Sequence, residues 1–501
     1  MPWTCLPDPQ LRETAMKLAD IARGAYSRSP SWLRRSAGQV LSLAPASMLM
    51  GRQYREWQSI IARTERDPDY AAEFQARRLR TLLARCAARA DFYRPQLPAA
   101  TVISAAPRDD LLRILADLPV LEKETVRAHG AAMMCVPPAD ADPVSTSGST
   151  SEPLSFYLDR DRSVREWAFV THIWSRAGFG PRSIRGVLRG VQLPQLGDVP
   201  WDWDPALREL RFSPFHLTED VMDAYLALAD RYRVDAIHGY PSSIEVFAGH
   251  ALRRGWPRRE AIRCVLPISE PIFDHQRELV ATVFPNARTM PFYGLSEKSM
   301  IAGEVPGAPG SYAFEPAYGL AELVAEDGRA IVTPGETGRV VGTGFISAAM
   351  PLLRYDSGDL AELEEAPSPR NGYRLRIRRI ASHRSQEILL GRQGEPIGMA
   401  AINIHSPAYS AIRVFQFMQD SPGTAVLKIA PVAGAPQERI EAFVAEISRK
   451  LRDALTLDVE YTDDFTSNSR GKRPYIDQRI PEAQLRPVAA PTDRPERSER
   501  D

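Results

Sequence analysis

The sequence has few cysteines and no surplus of charge of either sign. Its 63 basic residues equal its 63 acidic residues, whereas a protein that binds nucleic acid through the phosphates normally carries a basic surplus. The four cysteines lie far apart, which argues against a disulfide framework and a zinc motif and favours a reducing compartment. They are Cys5, Cys86, Cys135 and Cys264. We therefore expect a cytoplasmic protein that does not bind nucleic acid.

Long hydrophobic runs are also missing. No stretch approaches about 18 uninterrupted apolar residues, so no membrane span is predicted. The N-terminus, MPWTCLPDPQ, has no basic segment followed by an apolar one, and we predict no signal peptide. Lysine is scarce as well, because only six occur among the 63 basic residues. A lysine such as Lys472 therefore stands where this chain normally uses arginine.

The first 380 residues show two patterns of apolar residues. Residues 1–105 are predicted to form a helical lead-in, with apolar residues at three- and four-residue spacing around Trp57 and Leu82. From about 140 to 380, short apolar or β-branched runs alternate with helical patterns such as 220–231 and 242–254. This alternation is typical of an α/β domain with a mixed or parallel sheet.

The remainder of the chain indicates a second, smaller unit. Residues 371–380, NGYRLRIRRI, alternate at period two and predict a strand. Two further predicted strands and an amphipathic helix over 437–454 are typical of a small α+β domain. We predict a large multi-layer α/β domain over 106–382, to which the lead-in belongs, and a small mobile domain over 383–485. Residues 486–501 are rich in proline and charge and are predicted to be disordered.

Two motifs carry residues suited to a nucleotide. Residues 145–153, STSGSTSEP, surround one glycine with six hydroxyl side chains, and such a loop offers hydroxyl and backbone N–H donors to an anion. A flexible Ser/Thr loop explains the same composition. Residues 292–297, FYGLSE, provide an aromatic ring that could stack a purine and a carboxylate that could hold Mg²⁺ near phosphates. A strand that ends in a turn explains this motif equally well.

Two further motifs are also ambiguous when each is taken alone. Residues 355–359, YDSGD, place a carboxylate in a glycine-containing turn that could hydrogen-bond ribose hydroxyls, although the same letters make an ordinary β-turn. Residues 469–473, SRGKR, could deliver Lys472 into a distant site on a glycine-hinged loop. A solvated basic loop is the usual explanation of such a run.

Taken together and in this order, the motifs resemble those of adenylate-forming enzymes. The similarity is to the phenylacetate–CoA ligase-like branch, in particular its CapK-type members associated with polysaccharide and natural-product gene clusters. It covers roughly residues 50–480 and begins with ADFYRPQL and LPVLEKETVR. It continues through STSGSTSEPLSFYLD, IHGYPSSIE, VLPISEP, FYGLSE, RYDSGDL, RRIASHRSQEIL and SRGKRPYI.

The resemblance implies a role for particular residues. A loop would orient the ATP phosphates, and its residues would be Thr146, Ser147, Gly148, Ser149 and Thr150. Ser269, Glu270 and Pro271 would lie along the adenine, on which Tyr293, followed by Gly294, would stack. Glu297 would bind Mg²⁺, Asp359 would hold the ribose, and Lys472 would reach the substrate carboxylate and the α-phosphate. His238, Tyr240 and Ser242 would border the acyl pocket, and Arg384 would follow a hinge at Ser382 and His383.

The implied reaction is the activation of a carboxylic acid by ATP and Mg²⁺, followed by transfer of the acyl group. The first choice of acceptor is the thiol of CoA or of a carrier-protein phosphopantetheine, and an amine acceptor is the alternative. A nucleotide-binding protein without turnover is a third interpretation. Glu152 favours that interpretation because it adds an anion near the phosphate loop, whereas Lys472, Glu297 and Asp359 argue against it. A homodimer is compatible with all three.

Overall fold

The computed structural model describes most of the chain between residues 50 and 481. The described residues are 50–145, 154–190, 193, 200–381, 388–402, 408, 411–432, 434–466 and 474–481. The predicted phosphate loop, the predicted hinge, Arg384 and Lys472 lie outside them. In the part that is described, no helix has both the length and the apolar character needed to cross a membrane.

The described part of the lead-in is helical, and its first long helical stretch is divided at Pro68, the one proline between Pro45 and Pro95. Helices α1 and α2 cover Gly51–Arg66 and Pro68–Arg89. Asp67 caps α2, because its side chain accepts a hydrogen bond from the backbone N–H of Tyr70 at 2.9 Å, and a proline is well tolerated at the first helical position. Three short helices follow: α3 (Ala100–Ala105), α4 (Arg108–Ala116) and α5 (Lys123–His129).

A hairpin and a six-stranded sheet come next along the chain. The hairpin pairs β1 (Ala141–Ser145) with β2 (Ser155–Asp159) in antiparallel register. The six-stranded sheet contains β3 (Arg185–Leu188), β4 (Trp201–Asp204), β5 (Glu209–Phe212), β6 (Ala236–Gly239), β7 (Cys264–Pro267) and β8 (Arg288–Thr289). Its order is β4-β5-β3-β6-β7-β8, and every neighbouring pair is parallel except β4 with β5.

One helix precedes the parallel strands and three connect them. The first is α6 (Arg162–Ser175), and the others are α7 (Glu219–Arg231), α8 (Pro241–Arg253) and α9 (Asp274–Val283). Strands β3, β6 and β7 are buried along their whole length, which explains their mainly apolar sequences, since a parallel sheet covered by helices has no solvent face. The predicted α/β class is confirmed.

A seven-stranded antiparallel sheet completes the large part of the molecule. Its order is β12-β13-β14-β15-β11-β10-β9. The strands are β9 (Phe292–Gly294), β10 (Ile301–Val305), β11 (Ala308–Phe314), β12 (Gly319–Val324), β13 (Thr337–Gly344), β14 (Tyr355–Glu365) and β15 (Arg376–Ala381). The strand predicted over 371–380 is wrong in its first half, because Gly372 (φ 64°) and Tyr373 (φ 58°) form a left-handed turn before β15.

The C-terminal part has the α+β pattern that the sequence predicts. It contains β16 (Ile388–Leu390), β17 (Pro396–Gly398), α10 (Met399–Ile402), β18 (Ile412–Ser421), β19 (Thr424–Pro431), α11 (Gln437–Leu451), β20 (Thr456–Tyr461) and β21 (Ile476–Gln478). Strands β20-β19-β18-β21 form one sheet. Phe417, Leu427 and Phe443 are fully buried in its core, which also includes Phe215 and Tyr240 of the large part.

Candidate functional site

Two predicted nucleotide residues, Tyr293 and Asp359, are in direct contact. The Tyr293 hydroxyl donates a hydrogen bond to Asp359 Oδ2 at 2.8 Å. Burial and the negative charge of Asp359 raise the pKa of Tyr293 well above its usual value, so the hydroxyl stays protonated and acts as the donor. One end of the aromatic ring is therefore fixed beside a carboxylate.

This contact requires strong curvature of the antiparallel sheet. Tyr293 belongs to β9 and Asp359 to β14, and β15, β11 and β10 lie between these strands. In a flat sheet, strands four positions apart would be separated by about 19 Å. A sheet that curls like part of a barrel brings its edge strand back towards its middle. The two motifs that carry Tyr293 and Asp359 meet for this reason.

The predicted magnesium ligand, Glu297, is held in the same region. It is 9% exposed, and the Tyr355 hydroxyl donates to its Oε1 at 2.5 Å. Burial and the charge of Glu297 raise the pKa of Tyr355, so this hydroxyl also stays a donor. Tyr355 begins β14, the strand that carries Asp359. Each of the two segments thus supplies one tyrosine and one carboxylate.

Lys123 is a member of this region that the motif analysis did not single out. Its Nζ donates to the carbonyl oxygen of Ser357 at 2.9 Å. The Ser357 hydroxyl in turn accepts the backbone N–H of Asp359 at 3.1 Å. Lys123 is one of the six lysines and lies within LPVLEKETVR. The rarity of lysine and the position in this segment could have identified Lys123 as a candidate site residue from the sequence.

A second group of predicted residues lies where the parallel strands β6 and β7 end. In open α/β sheets the carboxyl ends of the strands border the ligand crevice. Here the backbone N–H of Ser242 donates to Glu270 Oε2 at 3.1 Å, and the Tyr240 hydroxyl accepts the backbone N–H of Gly190 at 3.0 Å. Ser269, beside Glu270, has φ 66°, a left-handed conformation that costs a non-glycine residue about 1 kcal/mol. Pro271 follows Glu270 and is partly buried.

His238 lies within the sheet, below this edge. Its side chain is 2% exposed, its Nδ1 is 2.9 Å from the carbonyl oxygen of Leu266, and its ring meets Trp174 edge-on at 4.7 Å. Burial lowers its pKa well below the usual value, so the imidazole is neutral at pH 7. These contacts make His238 a packed residue beneath the predicted acyl pocket.

The C-terminal part covers Glu270. Gly398, at the end of β17, lies so close that a β-carbon on it would be 2.1 Å from Glu270 Oε1. The two parts are also joined by His216, whose Nε2 is 3.0 Å from Asp453 Oδ2 while its Nδ1 is 2.6 Å from Ser213 Oγ. Burial raises the pKa of Glu270 to about 7, and the backbone N–H of Ser242 opposes this shift.

Glu270→Gln is expected to change how stability depends on pH. The folded pKa of Glu270 is raised from 4.5 to about 7, so the folded state binds the extra proton between these values. The resulting stability is complete below pH 4.5 and is lost as the pH rises through 7, a difference on the order of 3 kcal/mol. Melting temperatures should therefore favour Glu270→Gln over the wild type at pH 8 far more than at pH 5.

Glu278→Gln is the matched control, because Glu278 is an exposed carboxylate on α9. It should follow the wild type at both pH values. If Glu270→Gln behaved like this control, the carboxyl of Glu270 would be solvated and ionised in the folded protein.

The remaining predicted site residues lie outside the described part, and their roles stay predictions. Thr146, Ser147, Gly148, Ser149 and Thr150 fall in the connection of the β1–β2 hairpin, whose last pair is Ser145 with Ser155. Ser382, His383 and Arg384 fall between β15 and β16, and Lys472 precedes β21. Among the described residues no group of three or more His, Cys, Asp or Glu side chains could hold a metal ion.

Comparison with known proteins gives matches of low identity. No model of a known protein family matches the chain. A solved structure of 2-hydroxyisobutyryl-CoA ligase with 2-HIB-AMP and CoA aligns at a TM-score of 0.48 and 18% identity, covering 81% of this chain and 89% of that one. An acyl-CoA synthetase of Brucella canis aligns at a TM-score of 0.34 and 16% identity, covering 66% and 62%.

One curated relative matches by sequence. It is the protein CapK of Staphylococcus aureus, which is 23% identical over 280 residues. The match covers 55% of this chain and 60% of the relative, so the chain spans less than two thirds of the relative's length. The resemblance to CapK-type proteins that the ordered motifs predict is thereby confirmed.

Proposed function

We propose that the protein is an AMP-forming acid ligase of the phenylacetate–CoA ligase-like branch, acting in the cytoplasm in biosynthesis. It converts a carboxylic acid and ATP into an acyl-adenylate and pyrophosphate. It then passes the acyl group to a thiol, either that of CoA or that of a carrier-protein phosphopantetheine. Adenylation activates the carbonyl, because AMP is a good leaving group. The acyl-adenylate is therefore open to a nucleophile that could not attack the free carboxylate.

The observation that carries this proposal is the contact between the FYGLSE and RYDSGDL motifs. The Tyr293 hydroxyl donates to Asp359 and the Tyr355 hydroxyl to Glu297, and both carboxylates act on the pKa of Tyr293, so an aromatic ring and two carboxylates lie in one region. A nucleoside stacked on Tyr293 would have the Asp359 carboxylate near its sugar. Two motifs that served only as separate turns would not be expected to meet from strands that are four positions apart in the sheet.

The carboxylates suit a magnesium ion that is shared with a nucleotide. Mg²⁺ is usually held by one or two carboxylates together with substrate phosphates. Glu297 supplies such a carboxylate, and the Tyr355 hydroxyl orients it through Oε1. Mg²⁺ bound there would neutralise charge on the phosphate oxygens. Lys472 would offset the charge that develops when the substrate carboxylate attacks the α-phosphate.

ATP–pyrophosphate exchange over a panel of carboxylic acids tests the proposed function. An acid-dependent exchange identifies an adenylating enzyme and names its acid. Product analysis with CoA, a phosphopantetheinylated carrier protein and amines then separates thioester formation from the alternative, amide formation. ATP binding without exchange for any acid would favour the third interpretation, a nucleotide-binding protein without turnover. Glu152 is the residue that favours this interpretation, because it adds an anion near the phosphate loop.

Asp359→Asn is expected to raise the apparent KM for ATP about tenfold, because the loss of a charged hydrogen bond to the ribose costs roughly 1.5 kcal/mol. Asparagine keeps an oxygen that can accept the Tyr293 hydroxyl, so the fold should be preserved. The ranking of acids should not change, since the proposed role of Asp359 is to bind the ribose and not the acid. Exchange rates measured at varied ATP with several acids check both expectations.

Asp356→Asn is the control from the same strand. Asp356 is paired with Arg339 at 3.1 Å and has no proposed role with ATP. If Asp359→Asn altered the ranking of acids and left the KM for ATP unchanged, Asp359 would belong to the acid pocket.

A further inference from the structure

A cavity lies between the lead-in helices α1 and α2, the end of β2, helix α6 and the segment that follows β13. Its volume is about 350 Å³, within the range of small-molecule sites. Three arginines line it, together with Trp57, Thr81 and a few other residues of α1, α2 and the segment after β13. They are Arg78 and Arg85 from α2 and Arg165 from α6. We call it the arginine cavity.

The positive charge of the arginine cavity is not balanced by its own carboxylates. Asp159 is 3.1 Å from Arg165 and accepts the backbone N–H of Ala348 at 3.2 Å. Arg165 also pairs with Asp161 at 2.5 Å, so its charge is balanced by these two carboxylates. Glu56 is half exposed and pairs with Arg52. Among the described residues, no carboxylate lies within ion-pair distance of Arg78 or Arg85. The cavity therefore holds two guanidinium groups without a paired anion.

Arg78 is held in this position at an electrostatic cost. Its guanidinium donates to the carbonyl oxygen of Phe345 and lies 5.7 Å from the Trp57 ring centre, and its Nε is buried without a hydrogen-bond partner, as is that of Arg85. Burial and the neighbouring charge of Arg165 lower the pKa of Arg78 to about 10, and the charge of Asp159 only partly opposes this shift. A cavity that concentrates like charges in this way is suited to an anion that neutralises them.

We propose that the arginine cavity binds a small anion that carries a phosphate group. Guanidinium forks match phosphate oxygens, and a doubly charged anion balances Arg78 and Arg85 together. The cavity is larger than one phosphate, and Trp57 and Leu82 provide an apolar wall for an organic remainder. This site is separate from the proposed nucleotide site, because Asp159 lies at the far end of β2, about 14 Å from the end of the hairpin that carries the phosphate loop.

Inorganic phosphate is the first probe, compared with acetate at the same ionic strength. Hydrogen exchange locates binding within the chain. Phosphate should protect backbone amides of residues 78–85 in the wild type, and acetate should do so at least tenfold more weakly. Equal protection by acetate would make the site one for carboxylates, and protection confined to residues 141–155 would place phosphate in the nucleotide loop. Either result would overturn the proposal.

Arg78→Gln should weaken phosphate binding at residues 78–85 at least tenfold, measured by the same exchange titration. Arg113→Gln is the matched control, since Arg113 is 76% exposed on α4 and pairs only with the nearby Asp110. The melting temperature of Arg78→Gln without phosphate should lie close to that of the wild type, because relief of the repulsion from Arg165 offsets the loss of the hydrogen bond to the Phe345 carbonyl. ATP–pyrophosphate exchange should be unchanged, which separates this site from the proposed function.

Arg78→Lys covers the case in which Arg78→Gln does not fold. Lysine keeps the charge but loses the planar fork, so phosphate binding should weaken several-fold in a folded protein. The proposal would be refuted if Arg78→Gln or Arg78→Lys bound phosphate as tightly as Arg113→Gln does.

Discussion

Lys472→Ala is expected to lower adenylation about a hundredfold or more and to leave the melting temperature nearly unchanged. Loss of one group that stabilises transition-state charge typically has an effect of this size. Lys472 is one of six lysines, and it follows Gly471 on a loop that matches the catalytic lysine loop of the resembling family. The measurement is acid-dependent ATP–pyrophosphate exchange with the acid identified by the panel.

Lys428→Ala is the control from the same C-terminal part. Lys428 lies in β19 and its Nζ is 3.4 Å from the carbonyl oxygen of Asp464, so its loss should leave exchange unaffected. Lys472→Arg should fail almost as fully as Lys472→Ala, because a planar guanidinium does not replace a compact ammonium. Exchange by Lys472→Ala at a rate near that of the wild type would remove Lys472 from the reaction.

The parts of the fold that the sequence predicts well are those specified by local periodicity. The helix predicted over 220–231 is observed as Glu219–Arg231, and the helix predicted over 242–254 is observed as Pro241–Arg253. Apolar residues at three- and four-residue spacing predict these helices directly. Residues 371–375 were predicted as strand because their letters alternate, although Gly372 and Tyr373 adopt left-handed conformations there.

The contacts within the candidate site depend on long-range geometry instead. Tyr293 and Asp359 are 66 residues apart, and their hydrogen bond requires a sheet that curls, which no local pattern encodes. Gly398 likewise lies against Glu270, although the two residues are far apart in the sequence. The sequence motifs identified these residues as candidates, whereas only the structure shows which of them are in contact.

The arrangement of the two parts bears on how one active site could serve two reactions. The C-terminal part contacts the large part through Gly398 against Glu270 and through His216 with Asp453. Phe215 and Tyr240 of the large part also pack into the apolar core of the C-terminal part. A small domain that rotated between adenylation and acyl transfer would have to separate these contacts. In that scheme Lys472 serves the first step and then leaves before the acceptor arrives.

His383→Pro is expected to separate the two half-reactions. The described strands β15 and β16 end at Ala381 and begin at Ile388, and rotating domains place their hinges in such short connections. Proline at 383 would fix φ at about −65° and remove a backbone N–H. We expect single-turnover release of pyrophosphate to stay within about threefold of the wild type and formation of the acyl product to fall at least about tenfold.

Two further measurements make the outcome of His383→Pro decisive. The melting temperature should match that of the wild type, because one residue in a connecting segment changes while the sheets on either side do not. His383→Ala should support both half-reactions, since alanine keeps the backbone N–H and the range of φ. Equal loss of both steps with a normal melting temperature would show that residue 383 contributes to the chemistry and is not a hinge. Full retention of both steps by His383→Pro would show that the C-terminal part does not rotate about this residue.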